Sequence, residues 1–443
     1  MKQKAIELLA PAGSFDSLQT AINAGAQAIY FGVEQLNMRT RSAGTFSIND
    51  IKEVSSICKA NGIRSYITLN TVMYEHDMQL LKSILKEAKK QGIDAVIAAD
   101  FSVINYCNEL GIPLHISTQA NVSNIESVIF FSKFADVIVL ARELTLNQVK
   151  GICDEIKRKK IKGPSGALIK IEIFVHGALC MAISGKCYLS LHTQNASANR
   201  GACVQNCRRS YTVKDTESGE ELAIENEYIM SPKDLCCIDI LDQVIASGVD
   251  VLKIEGRTKG ADYVQVVTQC YKEAILSVKN GTFSQEKVAV WKTEMSKVYN
   301  RGFWEGYYLG RTLGEWTKQP SSAATEKKIY IGKGTKYYPK IAVGEFIIES
   351  GSLKTGDTLM ITGPKCGMIK EKIETLVVNG NKSSEALKGD LITLPFAQFS
   401  LWEFTAAVLC LGLYTASRVA EQVRAGGIAG AGRIPMGVAP ERT

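Results

Sequence analysis

The sequence predicts an α/β protein: a (β/α)8 TIM-like barrel with a cysteine-rich insertion after strand seven, followed by a small C-terminal all-β barrel module. Three observations lead to this fold class. Eight short apolar runs alternate with amphipathic stretches, one connection is far longer than the others, and short alternating strands with turns begin near residue 328. We expect a barrel at 1–317, a linker at 318–327, a β module at 328–395 and an atypical tail at 396–443.

The eight runs have the length and apolar content of buried parallel strands. Amphipathic segments such as 15–24, 51–60 and 78–91 separate them, and glycines such as Gly25 and Gly92 follow the helical stretches, where a left-handed cap is common. Strands separated by helices form parallel units, and eight units favour a closed barrel over an open doubly wound sheet. The runs occupy 7–12, 28–33, 64–70, 95–100, 113–119, 137–143, 170–177 and 251–257.

The connection between the seventh and eighth runs is anomalous, because more than 70 residues separate His176 from Val251. A βα connection with its helix is normally much shorter. The segment 231–248 predicts the helix, with Ser231 as N-cap and Pro232 at its first position. The remainder, about 178–230, is then an insertion at the carboxyl end of strand seven, which is the catalytic face of such a barrel.

The C-terminal tail differs in composition from the rest of the chain. Lysine is absent from Gly389 onward, while alanine and glycine rise. An added amphipathic helix, a disordered tail and a chimeric or frameshifted terminus all fit this change. The apolar stretch 404–416 is too short to span a membrane, so we expect no membrane partner.

Composition sets broad limits on function. The hydrophobic fraction of 46% is typical of a globular protein, and the net charge of +7 is compatible with an RNA or anionic partner without identifying one. The N-terminus lacks the apolar run of a signal peptide, which predicts a cytoplasmic protein. In that compartment, twelve cysteines are expected as thiols or metal ligands rather than disulfides.

Four cysteines within the insertion form the clearest chemical pattern. Cys180, Cys187, Cys203 and Cys207 follow the spacing C-x6-C-x15-C-x3-C in a loop rich in glycine and serine. Four exposed thiols would be prone to oxidation, and shared metal ligation removes that liability. The set suits a structural zinc ion or an iron–sulfur cluster, and the wide first spacing favours the cluster. The pair at 236–237 offers alternative ligands, although helix core is the preferred interpretation.

Polar residues recur where the predicted strands end, as at a barrel active site. We predict catalytic roles for His176, Glu255 and Arg257, with Arg257 binding an anion and Glu255 orienting it. An ordinary ion pair and a hydrogen-bonded strand-end histidine are the structural alternatives. A Cys180–His176 nucleophile pair also stays open, in competition with the metal role. Cofactor-binding side chains are predicted at Asn70, Gln119 and Arg142.

The basic run KRKKIK at 157–162 has two interpretations. Such a run is usually a solvated helix end. Together with Arg200, Arg208 and Arg209 beside the cysteines, it is also suited to RNA phosphates.

Several separated motifs resemble the collagenase-like peptidase family U-32. The segments FVHGALCMAISGKCYLS and SANRGACVQNCR resemble its signature, and ELLAPAG, YFGV, SPKDL, KIEGR and NRGF occur in the matching order. The resemblance covers about residues 5–315, and the β module resembles the family's C-terminal domain. It implies a 4Fe-4S cluster held by Cys180, Cys187, Cys203 and Cys207.

Within that family, the resemblance implies oxygen-independent hydroxylation of RNA or of ubiquinone precursors. The pattern GACVQNCR is most similar to the branch that makes 5-hydroxyuridine at the tRNA wobble position, with prephenate as the implied acidic co-substrate. We therefore expect a tRNA hydroxylation enzyme with tRNA as partner, acting with a paralogue or as a homo-oligomer. The alternatives are a peptidase and a zinc-stabilised RNA-binding protein.

Overall fold

The computed structural model of the chain describes residues 5–39, 46–212, 214–219, 228–311, 314–318, 321–338 and 340–395, together with the backbone of 408–414. These residues form two compact units: the first comprises the residues up to Thr325 together with Thr362–Ile369, and the second comprises Glu326–Ile361 together with the residues from Lys370 onward. The predicted linker at 318–327 contains the division between Thr325 and Glu326. Within the described ranges, no helix combines the length and apolar character needed to cross a bilayer.

The first unit is the predicted (β/α)8 barrel. Its last strand pairs in parallel with both the first and the seventh, since Val251 lies opposite Glu7 on one side and Glu172 on the other. The sheet is therefore closed. The barrel strands are β1 Glu7–Ala12, β2 Ala28–Gly32, β3 Arg64–Leu69, β4 Ala95–Ala98, β5 Leu114–Ile116, β6 Val137–Val139, β7 Lys170–Gly177 and, after the short strand β8 Asp234–Cys236, β9 Val251–Ile254.

Helices surround the barrel and bury their apolar faces against it. The three amphipathic segments predicted at 15–24, 51–60 and 78–91 are confirmed within one residue at each end. Gly92 adopts the left-handed cap that only glycine takes without strain, with φ of 65°. The helices are α1 Phe15–Asn23, α2 Asp50–Ala60, α3 Met78–Gln91, α4 Phe101–Leu110, α5 Ile125–Phe131, α6 Leu146–Lys159, α7 Leu189–Gln194, α8 Leu241–Ala246, α9 Ala261–Lys279 and α10 Gln285–Lys297.

The helix predicted from Ser231 was wrong in its first half. Ser231 and Pro232 precede β8, and α8 begins only at Leu241. Strand β7 extends beyond β6, so its end offers free backbone groups, and β8 pairs with them in antiparallel register at His176 and Gly177. A further strand, β10 Phe303–Trp304, joins β8 on its other side. Pairing with the protruding edge of β7 therefore decides the structure of this segment, against the helix start that its own sequence predicts.

The strands from Lys327 onward confirm the predicted all-β module, and among the described pairings two separate sheets are present without closure into the predicted barrel. The larger sheet has the order β15-β14-β20-β11-β12-β19-β16-β17, and β13 pairs with β18 in the smaller one. The strands are β11 Lys327–Tyr338, β12 Val343–Ile348, β13 Ser352–Lys354, β14 Thr358–Gly363, β15 Gly367–Lys372, β16 Leu376–Val378, β17 Asn381–Ser383, β18 Glu385–Leu387, β19 Leu391–Pro395 and β20 Val408–Tyr414.

Strand β20 belongs to the compositionally atypical tail. It pairs with β11 in antiparallel register, so a helix is the wrong interpretation for Val408–Tyr414. The rest of the tail, at 396–407 and 415–443, lies outside the described residues, and a chimeric or disordered terminus stays a prediction there.

Candidate active site at the carboxyl end of the barrel

A cavity of about 380 Å³ opens at the carboxyl ends of the barrel strands, which is the end where barrel enzymes place their chemistry. The strand ends form its floor, and the cysteine-rich insertion forms one wall. Nine of the ten predicted site residues line it: Asn70, Gln119, Arg142, Cys180, Cys187, Cys203, Cys207, Glu255 and Arg257. Residues from nearly the whole barrel sequence thus meet in one place.

The insertion is fastened to the loops that follow β3, β5 and β6. Asn121 donates from Nδ2 to the carbonyl of Ser184 at 2.9 Å, and Arg142 Nη2 donates to Ser184 Oγ at 2.8 Å. On the other side, Val72 N donates to the carbonyl of Asn199 at 3.1 Å. These bonds hold the cysteine-bearing segment over the cavity as a fixed wall.

The four predicted ligand cysteines all face this cavity and lie within electrostatic range of one another. Burial raises the pKa of the Cys187 thiol, and Cys180 and Cys203 raise it further. Burial also raises the pKa of Cys207, with Arg208 opposing and the other three cysteines adding to the rise. Neutral thiols packed together in this way would gain from a metal group that binds them as thiolates.

The donor set fits an iron–sulfur cluster, whose four iron atoms each take one thiolate. The four cysteines line one cavity; among the residues that the structure describes, no three Cys, His, Asp or Glu side chains are grouped closely enough to hold a metal ion. The alternative ligands are placed elsewhere. Cys236 and Cys237 are buried in the barrel core, where the Cys237 amide donates to Tyr271 Oη at 3.0 Å.

Arg257 lies on the cavity floor, at the end of the closing strand. Its Nη1 donates to Asn37 Oδ1 at 3.0 Å and to Thr68 Oγ1 at 2.7 Å, and burial lowers its pKa to about 10. The predicted orientation by Glu255 is replaced by these neutral partners, because Glu255 pairs with Arg39 at 2.8 Å instead. A buried guanidinium that neutral groups hold keeps its charge available for an anionic ligand.

The carboxylate of Glu255 is kept ionised by its surroundings. Burial alone would raise its pKa, but Arg39, Lys259 and Arg257 together hold the pKa below its usual value. Lys259 is itself half-buried, and burial together with Arg301 lowers its pKa to about 8. Arg39, Lys259 and Arg301 all line the cavity and were missed at the level of sequence.

Lys253 is a further cation on the floor that sequence reasoning did not assign to the site. Its Nζ donates to Glu172 Oε1 at 2.7 Å and lies over the Tyr30 ring at 4.5 Å. Burial lowers the pKa of Lys253, and Glu172 opposes that effect. The signal was available, because Lys253 shares one strand face with Glu255 and Arg257 by period-two alternation.

Three buried polar atoms in the cavity wall lack a hydrogen-bond partner within the described part of the chain. They are Asn70 Oδ1, Gln119 Oε1 and Arg142 Nε. Buried polar atoms are normally satisfied, and each unsatisfied one costs about 1–3 kcal/mol. All three atoms face one cavity, where a polar ligand could satisfy them, and this agrees with the binding role predicted for these residues.

His176 is the predicted site residue that does not line the cavity. It is buried against the rings of Tyr263, Tyr271 and Phe303, with centroids 5.5–5.9 Å apart. A register shift in β7 between Phe174 and His176 turns the imidazole away from the cavity. Burial lowers its pKa to about 3, so the ring is neutral at pH 7. The geometry separates His176 from Cys180, which is a cavity residue, but it does not provide the expected hydrogen bond, because His176 Nδ1 has no partner among the described residues.

The basic run at 157–162 lies at the other end of the barrel. Helix α6 leaves the cavity end after β6 and returns to the start of β7, so its carboxyl end is remote from the cysteines. There, Arg158 pairs with Glu155 at 2.6 Å and Lys159 with Glu126 at 3.6 Å. The run is a solvated helix end, and it does not form one surface with Arg200, Arg208 and Arg209.

Comparisons with known proteins agree with this architecture. Residues 13–318 match the model of peptidase family U32. A protein of Porphyromonas gingivalis strain W83 named collagenase is 52% identical over 88% of this chain and 94% of its own length. The tRNA hydroxylation protein P1 of Bacillus subtilis is 30% identical over 88% and 91%, and the 23S rRNA 5-hydroxycytidine C2501 synthase of Escherichia coli is 32% identical over 70% and 46%. The chain belongs to peptidase family U32.

Proposed function

We propose that the protein hydroxylates the wobble uridine of tRNA to 5-hydroxyuridine without molecular oxygen, using a 4Fe-4S cluster and an acidic co-substrate, prephenate. One observation carries this proposal: a single cavity has four cysteines on its wall and buried cations on its floor. The cysteines suit an iron–sulfur cluster, and the cations suit a small molecule with carboxylates.

The two halves of the cavity have different tasks under this proposal. Cys180, Cys187, Cys203 and Cys207 would hold the cluster, which supplies electron transfer or a coordination site when bound. On the floor, Arg257 and Lys253 bind and orient the carboxylates of the co-substrate. Low solvent access strengthens these contacts, because charge-assisted hydrogen bonds gain in a low local dielectric.

Relatives support an RNA substrate without deciding among substrates. The tRNA hydroxylation protein of B. subtilis and the rRNA synthase of E. coli are named for base hydroxylation. A cavity that would hold both an oxidisable metal group on its cysteines and an anion on its buried cations is suited to such chemistry. The mild excess of 52 basic over 45 acidic residues is compatible with an RNA partner.

The test is the nucleoside content of tRNA from a strain that lacks the gene and any paralogue. We expect 5-hydroxyuridine and the nucleosides derived from it to disappear, and to return with the wild-type gene but not with the Cys203→Ala variant. Unchanged levels of these nucleosides in the deletion strain would overturn the proposal.

A peptidase is the second candidate, because the relative at 52% identity is named collagenase. The geometry offers this activity little support. A Cys180–His176 pair would need the imidazole near the thiol, and His176 instead lies among aromatic rings outside the cavity. Cleavage of gelatin by anaerobically purified protein, lost in Cys180→Ala and His176→Ala, would favour the peptidase.

A further inference from the structure

We propose that three exposed aromatic side chains beside the cavity, Tyr74, Phe101 and Tyr188, form a stacking surface for unpaired RNA bases. This inference rests on the proposed function and identifies where the RNA lies. We call these three residues the aromatic arc. Their side chains are 50%, 73% and 72% exposed, although large aromatic residues are normally buried.

The arc lies at the carboxyl end of the barrel. Tyr74 follows β3, Phe101 begins α4 directly after β4, and Tyr188 follows the cavity residue Cys187. Hydrogen bonds link the three segments. Asp100 accepts from the Met73 amide at 2.9 Å, which joins the first two.

Asn199 joins the third segment to the first. Its Oδ1 accepts from the Cys187 amide at 3.2 Å, and its carbonyl accepts from the Val72 amide at 3.1 Å. Asn199 also lines the cavity. The three segments that carry the arc are therefore connected to one another at the cavity end of the barrel, although the three rings themselves lie outside the cavity lining.

Tyr74 is held in place before any ligand arrives. The Arg200 guanidinium lies over its ring, with 3.9 Å to the centroid, and pairs with Asp77 at 2.6 Å. The Tyr74 amide in turn donates to Asp77 at 2.7 Å. A ring that is both exposed and pre-positioned loses little conformational entropy when a base stacks on it.

The charge of the neighbouring segment favours a polyanion. From Gly177 to Lys214 the sequence contains no Asp or Glu, while it contains Lys186, Arg200, Arg208, Arg209 and Lys214; the acidic residues of the insertion all follow, at 215–227. Of these, Lys186 and Arg209 are exposed beside the arc, whereas Arg208 is held by backbone carbonyls such as that of Leu179, at 2.6 Å. Aromatic rings interleaved with cations are typical of single-strand binding, where bases stack and phosphates pair.

Separate rings favour bases over a protein partner. A protein interface has a contiguous apolar core that buries its aromatic residues together. In the arc, each ring belongs to a different segment, and the exposed apolar side chains of the same segments are the single residues Val72, Met181 and Ile183. Such spacing suits bases that stack one at a time, as in an unpaired RNA loop.

The experiment measures the affinity of the full-length, cluster-containing protein for an RNA hairpin with the sequence of a tRNA anticodon arm. A fully paired duplex of the same composition serves as the second probe, and a gelatin peptide as the third. We expect Tyr188→Ala to weaken hairpin binding about tenfold. Tyr188→Phe should bind the hairpin as tightly as the wild type, because base stacking requires the ring and not the hydroxyl. Duplex binding should change less than twofold.

The matched control is Phe130→Ala. Phe130 is an exposed aromatic (47%) with a cation, Lys133, 5.9 Å from its ring centroid, but it lies near the carboxyl end of α5, at the opposite end of the barrel. The Phe130→Ala variant should bind the hairpin with the affinity of the wild type. Equal affinities of Tyr188→Ala and Phe130→Ala would overturn the inference while leaving the proposed function intact. A loss of gelatin binding in place of hairpin binding would overturn the inference and favour the peptidase. A wild-type protein that binds neither RNA would refute both.

Discussion

The two ends of the barrel carry similar residue types with different consequences. At the end of α6, the basic run at 157–162 has carboxylates close by, and Arg158 pairs with Glu155. At the cavity end, the insertion supplies cations without any acidic residue from Gly177 to Lys214. Composition does not distinguish the two regions. In the insertion, Arg200 pairs with Asp77 at 2.6 Å, while Lys186 and Arg209 are exposed. The placement of carboxylates, rather than the count of basic residues, therefore points to the face where an anionic partner binds.

The largest expected effect concerns the cysteines. Cys203→Ala should abolish iron binding and hydroxylation, since it removes one of four thiolates at the cavity. Cys270→Ala is the control, because Cys270 is buried in α9 away from the cavity. Iron and sulfide content, with absorbance near 400 nm, checks the expectation. Full iron content in Cys203→Ala would show that this cysteine is not a ligand.

The second largest effect compares a cation at the cavity end of the barrel with a cation at the opposite end. Arg257→Met should weaken binding of the acidic co-substrate about a hundredfold, because a charge-assisted hydrogen bond contributes about 1.5–3 kcal/mol. Arg158→Met, on α6, should change nothing. Calorimetric titration of prephenate into each variant provides the measurement, and equal affinities would place the anion site elsewhere.

The third effect tests the charge comparison directly. Arg209→Glu should weaken tRNA binding about fivefold and lower the slope of log affinity against log salt by about one, as expected for one lost phosphate contact. Arg158→Glu reverses a charge at the other end and should leave both quantities unchanged. Binding measured across a salt series decides this, and equal slopes for the two variants would contradict the comparison.

The smallest effect on activity is expected at His176, which lies at the carboxyl end of the barrel but does not line the cavity. His176→Leu should keep hydroxylation activity and reduce acid sensitivity. Because burial lowers the folded pKa to about 3 from 6.5, the unfolded state binds more protons between these values, and the free energy of unfolding falls as pH falls below 6.5.

Between pH 7 and pH 5 this single histidine contributes a loss of about 2 kcal/mol. Urea titrations at the two pH values should therefore show a correspondingly smaller loss in His176→Leu than in the wild type. A folded but inactive variant would instead establish the catalytic role that its strand-end position suggests.

The sequence predicted the barrel well because parallel strands are buried on both faces and appear as continuous apolar runs. All eight runs became barrel strands. The error at Ser231 arose where a strand forms only because β7 protrudes beyond its neighbour. No pattern in the neighbouring sequence indicates that β7 has a free edge, and Ser231 with Pro232 resembled the start of a helix.

The site was predicted in part for a related reason. Lys253 lies in β9, and Glu255 and Arg257 follow at the same spacing of two beyond its end; all three line the cavity. The same alternation failed for His176, because the register shift after Phe174 reverses the direction of its side chain. Arg39 and Arg301 reach the site only through tertiary closure, so spacing in the sequence could not reveal them.

Direct pairing of β7 with β9 has a consequence for how the protein matures. The barrel closes through contacts that leave out the entire insertion, since the strands on either side of it hydrogen-bond to each other. The chain can therefore complete its scaffold while the cysteine segment is still empty. Under the proposed function, loading of the cysteine segment with its metal group is therefore separable from the closing of the barrel.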